Sequence, residues 1–471
     1  MNIKVISFIK NFSYTLTSNL VSLVFSILVI LIAPKLIGIK EYGYWQLYLF
    51  YSSYIGFLSF GWNDGIYLRY GGKNYKDLDK GLFSSQFYMV AILQLLIVAI
   101  IFSILGIFTD ENRIFIFTMT AIGLFIYNVR SVLLCTLLGT NRIKEHAWII
   151  IMGGIVSCCL ITAFLLVGFR EYKLMVVSDL IGRLISLLYA MYCCRDIIFH
   201  RFSTFYISFR EAMKNISVGI KLMFANIAGL LIIGVVRFGI ERSWDVSTFG
   251  KVSLVLSVSN IMMLFISAVG IIMFPILRRT DERKLTSIYV TMRDFLMVVL
   301  FGVMIVYYPL KVVLSEWLPK YADSLMFMAL LFPLCVFEGK MNLLINTYLK
   351  TLRKEKLILK INLISLALSI MFSFITTLIL KDLNLAIASI VIILAFRCVF
   401  AEILLSKILK IYVYKDMVLE LMMTLIFMLT GWFMNSWLVV LVYALSYATY
   451  LVIKRRDINN TIKNVKLLMK V

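Results

Sequence analysis

Long apolar stretches, each about as long as a bilayer is thick, follow one another along the chain with only short polar breaks between them. A membrane-spanning helix needs about 20 apolar residues. A window of that length predicts fourteen helical segments, at 12–34, 44–62, 85–107, 114–138, 147–169, 174–194, 216–240, 249–275, 290–314, 322–349, 358–380, 384–407, 416–433 and 436–453. The connections leave no room for a soluble domain on either side. The longest, 195–215, sets Ile197, Ile198, Phe199, Phe202, Phe205, Tyr206 and Phe209 beside Arg195, Arg201, Arg210 and Lys214. Such a mixture reads as an amphipathic stretch lying on the membrane surface, or as a plain linker between two halves, and the two readings are compatible. The expected fold is an all-α polytopic membrane protein with about fourteen transmembrane helices.

Polar positions inside these segments carry the functional signal. Six cations, Arg130, Arg183, Lys221, Arg237, Lys340 and Arg397, fall where lipid should exclude them, against three comparably deep acids, Asp179, Glu338 and Glu402. A charge near mid-membrane costs at least a few kcal/mol, so such residues usually face a partner or an aqueous cavity. Arg183 has Asp179 one turn before it, and that pair alone could account for both. Arg237 and Lys221 lie near span ends and could snorkel to the interface. Arg130, Lys340 and Arg397 have no acid one turn away on their own helix; pairing across helices with Glu338 or Glu402 is the alternative to a cavity role. Small polar residues also recur at helical spacing: Asn11, Thr15, Ser18, Asn19, Ser22 and Ser26 in the first span, Asn226 in the seventh, Ser253, Ser257, Asn260 and Ser267 in the eighth. Glu338, Asn342 and Asn346 share a face of the tenth. Such stripes either knit helices together or line a hydrated path, and beside so many cations they favour the path.

Composition confirms the class. The chain is 62% hydrophobic and 15% charged, where soluble domains are about a quarter charged. Net charge is +22, but the basic residues are scattered through short loops, which suits an anionic membrane surface better than nucleic acid. With the N-terminus in the cytoplasm, 31 of the 47 Lys and Arg residues fall on cytoplasmic stretches and 10 outside. That bias predicts both termini in the cytoplasm. The seven cysteines lie in or at the ends of apolar spans with no CxxC pair, so neither a disulfide frame nor a metal site is expected. His146 and His200 fall in predicted loops. No GxxxxGK[ST] phosphate loop, metal cluster or serine–histidine pair is present, so neither a cofactor nor enzymatic activity is expected.

Two short segments hint at an internal repeat. Glu41-Tyr42-Gly43-Tyr44-Trp45-Gln46-Leu47 opens the second span, and Thr248-Phe249-Gly250-Lys251-Val252-Ser253-Leu254 opens the eighth. Transporters are often built from such repeats. After the second span, Gly61-Trp62-Asn63-Asp64-Gly65 and Arg69-Tyr70-Gly71-Gly72-Lys73 are rich in turn formers.

These segments, with Asn11-Phe12-Ser13-Tyr14 and the 6+6+2 span plan, resemble the polysaccharide flippases of the multidrug/oligosaccharidyl-lipid/polysaccharide exporter superfamily, in particular Wzx-type exporters of O-antigen and capsule repeat units. The resemblance covers essentially the whole chain through loose motifs. It implies two pseudo-symmetric six-helix lobes in a V, with alternating access to a central cavity, plus two C-terminal helices. The boundaries would be 1–194 for the N-terminal lobe, 195–215 for a cytoplasmic interfacial linker, 216–408 for the C-terminal lobe, and 409–471 for the added helices and a basic tail. The implied substrate is an undecaprenyl-pyrophosphate-linked oligosaccharide. The implied cationic cavity would correspond to Arg130, Arg183, Lys221, Lys340 and Arg397.

The resulting expectation is a monomeric flippase for a lipid-linked oligosaccharide, working beside a polymerase and glycosyltransferases. Arg130, Lys340, Arg397, Arg183, Lys221 and Arg237 would bind the substrate. Ser18, Asn19, Ser22, Asn226, Asn260 and Asn342 would line the cavity, and Asp179, Glu338 and Glu402 are the candidates for ion coupling. The rival is an ion-coupled multidrug or metabolite antiporter of the same fold, using Glu338 or Glu402. A polymerase would call for a large outer loop, and a scaffold would gain nothing from so many buried charges.

Overall fold

Helix starts are marked by acids that the sequence supplies at the right points. Asp79 accepts from the backbone N–H of Leu82 at 3.0 Å, Asp110 from Asn112 at 3.0 Å, and Asp382 from Asn384 and Leu385 at 2.8 and 3.1 Å. Each cap satisfies donors that a helix leaves unpaired in its first turn. A computed structural model describes residues 3–106, 110–199, 208–279, 282–433 and 438–460, with the side chains of 3–13, 15, 16, 18, 19, 22, 262, 264–279 and 282–284 left aside.

The described residues form an all-helical, multi-pass membrane protein. The helices are α1 Ile3–Leu36, α2 Ile39–Ser52, α3 Trp62–Tyr70, α4 Lys80–Leu105, α5 Glu111–Gly139, α6 Ile143–Val167, α7 Tyr172–Cys193, the short α8 Arg195–Ile198, α9 Phe209–Ser243, α10 Val246–Arg279, α11 Glu282–Met304 and α12 Tyr307–Trp317. They continue as α13 Pro319–Thr351, α14 Glu355–Ile379, α15 Leu383–Leu409, α16 Tyr414–Phe433 and α17 Leu438–Ile453. Among the described residues ten helical stretches are long and apolar enough to cross a membrane, and Leu23–Leu36, Val246–Ile261 and Leu438–Ile453 are shorter apolar ones. These thirteen fall on thirteen of the expected spans. On α4, Ile92, Leu95, Leu96 and Ile100 are 53, 54, 58 and 59% exposed. Four large apolar side chains in a row on an open face suit lipid rather than water.

The chain divides into two compact units, Met1–Ile227 and Ala228–Val471, and the division falls inside α9. In the first, α6 packs on α1 and α7, and α5 on α3, α4 and α7. In the second, α14 packs on α15, α10 on α13, and α16 and α17 on each other. Gly43 and Gly250, paired in the repeat, each lie one turn into their helix and are buried.

The expected span at 44–62 is corrected: it is not one helix. α2 ends at Ser52, a 3₁₀ turn covers Ile55–Ser59, Phe60 and Gly61 adopt positive φ of 52° and 77°, and α3 then starts at Trp62. Gly61 is suited to the left-handed turn. Backbone carbonyls freed at a break inside a membrane need donors, and buried carboxamides supply them. Asn128 Nδ2 donates to Ile55 O at 3.0 Å and to Gln94 Oε1 at 2.8 Å, while Gln94 Nε2 donates to Leu58 O at 3.0 Å. Asn63 Nδ2 in turn donates to Asn128 O at 3.2 Å. Beyond the break, α3 crosses the start of α9 so closely that a Cβ on Gly65 would lie 1.9 Å from Asn215 O. Arg69 locks the crossing, with Nη1 2.5 Å from Asn215 Oδ1 and Nη2 2.8 Å from Glu211 Oε2. The segment expected as a turn from Gly61 to Lys73 is therefore mostly helix, and His146 lies in the first turn of α6 rather than in a loop.

Of the connection at 195–215, Ile197 and Ile198 are buried, while Arg195 and Phe199 are exposed. Asp196 pairs with Lys80 at 2.8 Å and accepts from the Tyr75 hydroxyl at 2.7 Å. His200, Arg201, Phe202, Phe205 and Tyr206 lie outside the described residues.

Candidate functional site

In the first unit, two guanidinium groups meet on the faces of α5 and α7. Arg183 places Nε 2.7 Å from Asp179 Oδ2, and the Tyr48 hydroxyl donates to the same oxygen at 2.7 Å. The i,i+4 pairing read from the sequence is present. Arg130 reaches α7 one turn beyond Arg183, where its Nη1 donates to Ser186 Oγ at 2.9 Å. Ser186 is fixed in turn by donating to Ile149 O at 2.8 Å. Arg130 also lies 5.6 Å from the Tyr127 ring, and its Nε has no acceptor among the described residues. No carboxylate pairs with Arg130 among those residues. The cluster therefore holds two guanidinium groups and one carboxylate, a surplus of one positive charge that is half-buried rather than sealed. Tyrosine rings stand beside both arginines, with Arg183 5.9 Å from Tyr48.

In the second unit Lys340 and Arg397, with no acid one turn away on their own helices, pair with acids on other helices, the alternative to a cavity role. Arg397 donates from Nη1 to Glu338 Oε1 at 2.6 Å and from Nε to Asn362 Oδ1 at 3.0 Å. The remaining carboxylate oxygen of Glu338 accepts from Asn342, which accepts from Asn346. Glu338 is 15% exposed and Asn342 open, so this small network reaches the surface of its unit.

Lys340, 2% exposed, points the other way into a sealed cluster. Its ammonium bridges Glu402 and Glu420, the latter at 2.5 Å. Arg293 also meets Glu402 at 2.7 Å, Glu420 at 2.7 Å and Asp416 at 2.9 Å. Lys454 joins Asp294 and Asp416, both at 2.9 Å. Five helical segments, α11, α13, α15, α16 and the end of α17, thus share one charge cluster. Pairing across helices, the alternative to a cavity role, accounts for Lys340 and Glu402 without any ligand. Glu420 and Asp294 are additional deep acids, and Arg293 and Lys454 are buried although their positions near span ends placed them with the cytoplasmic charges.

The other expected site residues are dispersed. Lys221, Asn226 and Asn260 are exposed. Arg237 donates to Ser253 at 3.0 Å and lies 5.3 Å from the Phe249 ring. Ser18, Asn19 and Ser22 are in α1, but their side chains lie outside those described. Tyr48, Tyr127 and Ser186, which shape the surroundings of Arg130 and Arg183, were missed. Nothing in the sequence sets Tyr48 apart from the other tyrosines of its segment; its hydroxyl's bond to Asp179 of α7 does.

The sequence matches no family model, and no curated protein matches it. Solved structures do match. The lipid II flippase MurJ, in an inward closed conformation, superposes with a TM-score of 0.67 at 14% identity, covering 94% of this chain and 99% of that one. An inward-facing multidrug resistance MATE family transporter of the MOP superfamily gives 0.60 at 13% identity, over 83% and 99%. A MOP superfamily transporter from Pyrococcus furiosus gives 0.51 at 15% identity, over 86% and 97%. The chain has the fold that these transporters share.

Proposed function

We propose that this protein is a flippase that moves an undecaprenyl-pyrophosphate-linked oligosaccharide across the bacterial inner membrane by alternating access. The observation that carries the reading is Arg130, a half-buried guanidinium with no carboxylate partner among the described residues, beside a second arginine that has only one. A phosphate group entering the membrane loses its hydration, and that loss is the main barrier to crossing. A guanidinium fork offers two aligned donors to a phosphate and keeps its charge at any cellular pH. Arg130 and Arg183 would take the pyrophosphate, Tyr48 and Tyr127 would offer ring faces to the sugars, and the polyprenyl tail would stay in lipid. Likeness of fold to a lipid II flippase supports the substrate class.

The ion-coupled antiporter of the same fold would use an intramembrane acid to hold a cationic substrate. Asp179, Glu338 and Glu402 each already pair with a cation, which favours the flippase reading. Proteoliposomes carrying the lipid-linked oligosaccharide test the proposal. Arg130→Ala should lower the flipping rate roughly ten- to hundredfold, the worth of one charged hydrogen bond at about 1.5–3 kcal/mol, with Arg130→Lys intermediate. Flipping at the wild-type rate by Arg130→Ala would refute this role. Export of cationic dyes by the purified protein would favour the antiporter.

A further inference from the structure

The break in the second span leaves polar groups that its own hydrogen bonds do not satisfy. Asn63, Gln94 and Asn128 are 4, 0 and 0% exposed. Their amide N–H groups are turned to carbonyl and carboxamide oxygens. Reversing the Asn128 carboxamide would set its oxygen against Ile55 O, and reversing Asn63 would do the same against Asn128 O, so the network decides which end faces where. What it leaves over is two sealed acceptors: Asn63 Oδ1 and Asn128 Oδ1 receive no hydrogen bond from any described residue. A buried acceptor left unmet costs about 1–3 kcal/mol, and lipid offers no water to relieve it.

We infer that Asn63, Asn128 and the unwound backbone between α2 and α3 form a binding site for a small monovalent cation. Unwound backbone carbonyls of discontinuous membrane helices coordinate such ions in transporters, and a carboxamide oxygen is a neutral amide carbonyl of the same kind. Among the described residues the hydrogen bonds of the three carboxamides include none with a carboxylate, whereas divalent ions are generally held by carboxylates as well. A cation bound there would give these acceptors a partner and, through Asn63 on α3 and Asn128 on α5, tie the two helices together across the break. The site does not depend on the flippase reading, and its test uses no lipid-linked substrate.

The experiment measures radiolabelled sodium binding by the full-length protein in lipid nanodiscs, with thermal unfolding in sodium chloride and in equal N-methyl-D-glucamine chloride. Wild-type protein should bind sodium saturably and gain Tm with sodium concentration, as mass action requires for an ion bound only by the folded state. Asn63→Leu should lose both effects, and Asn63→Asp should bind more tightly. A bridging water instead of an ion would give no saturable binding and equal Tm in the two salts, and would overturn the inference. Unchanged sodium binding in Asn63→Leu would overturn it too. Should Asn63→Leu fail to fold, wild-type sodium affinity in Asn63→Asp would do so.

Discussion

Arg130 and Lys340 look alike in the sequence, both central in a span and both without an acid one turn away, yet their surroundings are opposite. Arg130 is half-buried with a serine for a partner, while Lys340 is sealed between two glutamates. Removing one member of a buried ion cluster leaves charge uncompensated and costs about 3–5 kcal/mol. Lys340→Met should therefore lower unfolding stability by that order, and Lys340→Met with Glu420→Gln should recover part of it. Equal stability of Lys340→Met and wild type in denaturant titration would contradict a structural role. Periodicity along one helix could show that these residues were deep but not what faced them. The partners of Lys340 are 62 and 80 residues away in sequence, a distance at which helical spacing carries no information.

Thirteen spans were legible as elements because lipid demands long apolar helical stretches and the residues comply. The second was not: 44–62 is less apolar than its neighbours, with Tyr and Ser among its Leu and Phe, and its break is held by tertiary donors, Gln94 and Asn128, on other helices. The close crossing after the break gives a direct test. Gly65→Ala would drive a methyl into the backbone of α9 and should cost about 1–3 kcal/mol of stability, read as a lower Tm. Gly106→Ala, with nothing within 4 Å of its added carbon, should leave Tm unchanged. The loop before α4 is held in a different way. Burial raises the Asp196 carboxyl, but hydrogen bonds from Lys80 and Tyr75 outweigh it and hold the group below its ordinary value. A carboxyl lowered by folding stabilises above its unfolded value and loses that contribution as pH falls through the folded one. The effect of Lys80→Met on Tm should thus be equal at pH 8 and pH 6 and shrink only below the usual carboxylate range.

Over the whole molecule, the bias of basic residues is the ground for proposing that both ends of the chain lie in the cytoplasm. A green fluorescent protein fused after Val471 should fluoresce, and alkaline phosphatase inserted at Arg170–Lys173 should be active; the reverse pattern would invert the topology. The charge cluster of the second unit has a further consequence, one of timing. Asp294 and Lys454 are 160 residues apart, and synthesis at about 5–20 residues per second separates them by roughly ten to thirty seconds. During that interval Arg293 and Asp294 are already made while Lys454 is not, and Asp416 and Glu420 are added only late in it. The nascent chain must hold buried-to-be charges in the insertion machinery until their counterparts emerge. Biogenesis of this half should therefore be the step most sensitive to pauses in translation and to the supply of membrane chaperones.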